Sequence, residues 1–193
     1  HISLSSWFKD YLYIPLGGSK GGKWMQVRNT FIIFIVSGFW HGANWTFVTW
    51  GFLNAVYFLP LLLMNKNRQN LEIVAQNSFL PSLKELFQMS ITFFFSTIAW
   101  IFFRAESMTM ALDMIRHIFS TSLFQIPTVR PSIMLGAILL FFVVEWMGRR
   151  DQYAIQTFAT LWPRFLRWAF YYLLVICILL FAGKEQTFIY FQF

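Results

Sequence analysis

Residues 31–45 read FIIFIVSGFWHGANW: an apolar run from Phe31 to Phe39 that ends in Trp40-His41-Gly42-Ala43-Asn44-Trp45. A second apolar run follows and reaches Met64. A helix rises about 1.5 Å per residue, so one continuing from Arg28 carries His41 roughly 20 Å from that charge. A hydrocarbon core of roughly 30 Å then places His41 inside the membrane slab, not at its edge. An ionisable ring at that depth is costly, and its default reading is functional. The competing reading is a structural histidine bonded between helices.

The composition agrees with a membrane protein. Hydrophobic residues make up 58% of the 193-residue chain and charged residues 12%, well below the roughly 25% charged of soluble domains. Aromatics reach 21%, with 25 Phe, too many for a soluble core to hide. The net charge of +7 is dispersed between apolar blocks and forms no dense stripe, which excludes a nucleic-acid binder. Cys177 is alone, so there is no intrachain disulfide and no cysteine pair for a metal. The chain opens at His1 without a signal-peptide pattern and is expected to begin inside a longer protein.

Five apolar blocks are expected to form helices: Asn29–Trp40, a block from Asn44 or Thr46 to Met64, Leu86–Phe103, Ser132–Met147 and Phe165–Ala182. The first is too short to span alone at roughly 18 Å unless it begins earlier or tilts. Pro131 and Pro163 sit near block starts, where the missing N–H is harmless, and Gly183 follows the last block. The fold class is therefore an all-α polytopic membrane protein, one domain over 1–193, with a hairpin or re-entrant turn around Trp40-His41-Gly42. Interfacial amphipathic helices accompany it: Ser107–Phe119 places Met108, Leu112, Ile115 and Phe119 on one face, and Glu145 is placed to snorkel or to pair with Arg149. One side of the membrane collects eleven basic residues (9, 20, 23, 28, 66, 68, 84, 149, 150, 164, 167) and the other only Arg104, Arg116, Arg130 and Lys184. The first side is expected to be cytoplasmic.

Hydropathy does not explain the opening HISLSSWFKDYLYIPLGG, residues 1–18. Together with Trp40-His41-Gly42-Ala43, with WIFFRAE at 100–106 and with FIYFQF at 188–193, it resembles the membrane-bound O-acyltransferase family. Within that family it is similar to the branch of the alginate O-acetylation protein and the exporter of D-alanine to teichoic acids. The resemblance runs over the whole chain but only the C-terminal part of the family's architecture. Lys9 stands where Arg is common, and Asn54-Ala55 where His-Gly is expected.

The resemblance implies acyl transfer through the membrane, with the family's invariant histidine on His41 and its second polar position on His1. No bound cofactor or metal is implied. The acyl donor would be a cytoplasmic thioester such as acetyl-CoA or an acyl-carrier protein. The acceptor would be a hydroxyl of an extracytoplasmic polysaccharide or cell-wall component, with membrane lipid and an extracytoplasmic acyltransferase or the polysaccharide as partners, in a bacterial inner membrane. A neutral imidazole can take the proton of an attacking hydroxyl. Trp40 and Trp45 are candidate walls of a substrate channel, and Gly42 would admit close approach by a substrate. The Gly17–Lys23 turn is a candidate contact for donor phosphates, although it lacks P-loop spacing. A fragment of this extent is expected to be inactive alone. The alternative is a non-catalytic scaffold or transport subunit of a polysaccharide export or modification complex. A passage protein, however, needs polar residues on several spans, whereas the later blocks offer only Ser90, Thr92, Ser96 and Thr97.

Overall fold

The computed structural model describes residues 2–66, 72–121, 131–157, 159–160, 162–181 and 183; His1 and residues 188–193 lie outside the described residues. Every regular element among the described residues is helical, and the chain falls into two compact units, His1–Thr128 and Val129–Phe193.

In the first unit α1 (Ile2–Phe8) runs into a π-helical turn, Lys9–Tyr13, and a glycine turn. Then come α2 (Gly22–His41), α3 (Trp45–Leu63), α4 (Leu83–Arg104) and α5 (Met108–Ile118). α2 starts at Gly22 instead of Asn29, and its 20 residues give about 30 Å, which removes the shortfall of the apolar block alone. α3 and α4 are long and apolar enough to cross a membrane.

Local chemistry sets the helix ends. Asn44 caps α3 by accepting from the Thr46 N–H at 3.1 Å. Ser82 and Glu85 form a reciprocal capping box on α4. Glu85 also accepts from the Ala75 N–H at 2.9 Å, which ties the preceding connector to that helix. Ser107 caps α5 through the Met110 N–H at 3.2 Å.

Membrane helices gain little from hiding apolar surface from one another, so close contact decides which of them pair. α2 and α3 form an antiparallel hairpin on small residues. A Cβ at Gly38 would overlap the Phe47 carbonyl oxygen, and one at Gly51 that of Phe34, while Ala55 is fully buried. Phe31 and Phe34 meet Phe52 and Phe58 at 5.7 and 6.1 Å beside that seam. α4 lies antiparallel along α3, with Tyr57–Phe95 at 4.7 Å and Trp50–Phe103 at 5.2 Å. α5 folds back on this pair along one edge of its apolar face. Ala111 is the buried centre, flanked by Met108 and Ile115, against Phe102 and Ala105. Leu112 and Phe119 stay largely exposed. The reason is steric, since two alanines allow an approach that Leu112 would prevent.

The second unit contains α6 (Ser132–Gly148) and α7 (Arg164–Leu180), with Pro131 and Pro163 at their N-caps. Arg149 does not pair with Glu145. It donates to the Trp146 carbonyl at 2.7 Å and stacks 4.4 Å above that ring. A last-turn carbonyl and a π face lie nearer to its guanidinium than a carboxylate one turn back.

Candidate active site at the end of the hairpin

Thr30, Ile33, Phe34, Ser37 and His41 recur at helical spacing and share one face of α2. The first four line an open cavity of about 890 Å³, together with the π-helical turn, the Gly17-Gly18-Ser19 turn, and Phe58 and Leu62 of α3. Lys9 and Lys20 also stand on its lining. His41 follows one turn, about 6 Å, beyond Ser37 on the same stripe.

Four rings surround the His41 imidazole. Trp40, Trp50 and Phe103 meet it edge-on at 5.1, 5.4 and 5.1 Å, and Phe47 lies tilted at 6.4 Å. Phe103 also touches Phe47 and Trp50, at 5.1 and 5.2 Å, so α3 and α4 grip the imidazole through one connected aromatic cluster. Edge-to-face pairs contribute about 0.5–1.5 kcal/mol each beyond their buried area. The half-buried ring is thus oriented by packing on three helices.

His41 is the last residue of α2, beside the start of α3 and the end of α4. It stands at the end of the hairpin, at the turn expected around Trp40-His41-Gly42. Gly42 is extended, with φ 161°, so left-handed backbone is not what requires glycine. A Cβ there would come within 2.6 Å of the Phe47 ring, so glycine lets this ring pack against the turn. The Asn44 side chain donates to the Glu106 carbonyl at 3.1 Å and clamps this turn to the end of α4.

Of the residues expected at the site, Trp40 touches His41, whereas Trp45 is 75% exposed at the start of α3 and makes no ring contact with it. His1 lies outside the described residues. In the glycine turn the Gly17 and Gly18 N–H groups are already taken, donating to the carbonyls of Ile14 and Tyr13 at 3.0 and 2.8 Å. The sequence reading missed Ser37, Phe47, Trp50 and Phe103. The three-residue spacing of Phe47 and Trp50 after the hairpin turn could have flagged those two, since it stacks them on one face at the turn.

The family model of the membrane-bound O-acyltransferase family matches residues 1–104. The chain is 37% identical over 116 residues to the peptidoglycan O-acetyltransferase of Helicobacter pylori, covering 60% of this chain and 20% of that protein. It is 31% identical over 158 residues to the "Probable alginate O-acetylase" of Pseudomonas aeruginosa, covering 79% of this chain and 28% of that protein. A fungal relative, the "Membrane-bound O-acyltransferase" of Schizosaccharomyces pombe, is 38% identical over 60 residues, 31% of this chain and 10% of its own length. The chain spans 20% to 30% of the length of these bacterial relatives and their close kin. No solved structure matches it.

Proposed function

The chain belongs to the membrane-bound O-acyltransferase family of integral membrane proteins, and from that premise we propose that it forms part of a transmembrane O-acyltransferase in which His41 is the general base. The acyl group, acetyl by analogy with the named relatives, passes from a cytoplasmic thioester to a hydroxyl of an extracytoplasmic polysaccharide or cell-wall glycan. Acetyl-CoA or an acylated carrier protein would supply the thioester. The lysine-bearing end of α2 faces the cytoplasm of a bacterial inner membrane in this reading, in keeping with the eleven-to-four division of basic residues.

One observation carries the proposal. His41 continues, by a single turn, the α2 stripe that lines a lysine-edged cavity, and packed rings fix its orientation. The neutral imidazole takes the proton from the acceptor hydroxyl as its oxygen attacks the thioester carbonyl. The tetrahedral intermediate then collapses, the C–S bond breaks, and the leaving thiolate recovers that proton from the imidazolium. General-base help of this kind is worth about 10²–10⁴ in rate.

His41→Ala and His41→Gln in the full-length protein test the reading. Glutamine keeps hydrogen-bonding capacity but accepts no proton at neutral pH. Both variants should lose about 100-fold or more of acyl transfer at near-normal membrane abundance. A scaffold or transport subunit, or a purely structural histidine, predicts that Gln restores function.

A further inference from the structure

The polar groups that the His41 chemistry leaves unused gather at the other end of α2. Asn29 is fully buried there, and all of its side-chain polar atoms are engaged. Its Nδ2 donates to the carbonyls of Leu16 and Gly18 at 3.2 and 3.0 Å. Its Oδ1 accepts from the Arg28 guanidinium at 2.9 and 3.1 Å, and Arg28 donates a further bond to the Leu16 carbonyl at 3.1 Å. Gln26 reaches the Ser19 carbonyl at 2.9 Å. Three neighbouring residues of α2 therefore hold the carbonyls of a single turn.

The turn itself is shaped by backbone bonds from Gly17 and Gly18 to Ile14 and Tyr13, with the Tyr13 and Ser19 hydroxyls 2.8 Å apart, and the α2 side chains tie it to the helix. It adopts left-handed backbone at Gly17 and Gly18, with φ 99° and 57°, a conformation that glycine enters freely and leaves as freely. It also forms one side of the cavity, through Gly17, Gly18, Ser19 and Lys20, and Thr30 lines the same cavity next to Asn29 in sequence. The Lys20 N–H bonds back to the Gly17 carbonyl at 3.1 Å, so the position of the lysine follows that of the turn.

We propose that Asn29, supported by Arg28 and Gln26, is a positioning residue that fixes the Leu16–Lys20 turn as the wall of the cavity and thereby governs how tightly the thioester donor is held. This rests on the acyl-transfer reading above. Asn29 touches no reacting atom and acts only through the turn. Loss of its two donated bonds leaves the Gly18 carbonyl unpaired and the Leu16 carbonyl held by Arg28 alone, and the turn moves away to hydrate them. The donor site then loosens while the rings around His41, at the other end of the helix, keep their places.

The test uses the full-length protein with acetyl-CoA as donor. In Asn29→Ala the donor KM should rise tenfold or more, with kcat at saturating donor within about threefold of wild type. Gln26→Ala removes a single bond from a partly exposed side chain and should fold normally, with a KM two to five times higher. Hydrogen exchange supplies a readout independent of turnover. The amides of Gly17, Gly18 and Lys20 should lose protection in Asn29→Ala while those around Gly51 keep theirs. Unchanged exchange at the turn, or a fall in kcat with KM unmoved in both variants, would overturn the proposal. Were wild type inactive with acetyl-CoA, the choice of donor would fail, and the exchange result would still decide whether Asn29 holds the turn.

Discussion

The two ends of α2 are held in different ways. At the lysine-bearing end, side-chain amides and a guanidinium grip backbone carbonyls: Gln26 on Ser19, Arg28 on Leu16, Asn29 on Leu16 and Gly18. At the other end, Trp40, Phe47, Trp50 and Phe103 grip an imidazole by their rings. Hydrogen bonds fix a turn whose two glycines have no side chain with which to pack. Ring edges instead steer an imidazole by shape. One helix can in this way hold a ligand wall at one end and a titratable ring at the other, each with the kind of contact its chemistry allows.

Both ends depend on the hairpin seam, and breaking it should have the largest effect. Gly51→Val puts side-chain atoms onto the Phe34 backbone, which cannot yield as a side chain could. Overpacking against backbone on this scale should cost about 3 kcal/mol or more. Membrane abundance and thermal stability in detergent should collapse together, and a normal melting curve would show that α2 and α3 are less closely joined than described.

Phe103→Ala should act at one end alone. The ring is partly exposed, so the stability loss should stay near 1–2 kcal/mol, the worth of a few ring contacts. The imidazole loses the partner that α4 supplies, and kcat should fall about tenfold with donor KM little changed. That is the reverse of the pattern expected at Asn29. A KM effect at Phe103 would erase the distinction between the ends.

The smallest effect is expected at Thr46. Its hydroxyl is fully buried and has no hydrogen-bond partner among the described residues. Thr46→Val keeps the shape and removes an unsatisfied polar group, so stability should stay level or rise by up to about 1 kcal/mol. A loss beyond that, read by thermal melting in detergent, would mean that the ring end depends on a polar contact after all.

How much of this the sequence disclosed follows from the range of each interaction. Helix existence, a helix start at Asn44 or Thr46 and the hairpin at Trp40-His41-Gly42 depend on residues close in the chain, and local pattern is enough to read them. Phe103 reaches His41 across sixty residues, and no periodicity within either segment announces that meeting. The apolar face of α5 is legible from its spacing, but the burial of Ala111 against Ala105 is not, because hydrophobicity weighs Leu112 above Ala111 while close helix approach favours the smaller side chain. Asn29 was read only as the start of an apolar block, because its partners are backbone carbonyls, which every residue possesses and no sequence distinguishes. The contact that a Cβ at Gly42 would make is equally hidden, because the Phe47 ring comes from the following helix.

That α2 joins a cytoplasmic wall of the cavity to a ring at the opposite face is tested most directly by labelling single cysteines in intact cells. In a Cys177→Ser background, Lys20→Cys should be shielded from a membrane-impermeant thiol reagent until the cells are opened, and Glu106→Cys should react at once. Labelling of position 20 with protection of position 106 would contradict the orientation and detach the donor from the end of the helix assigned to it here.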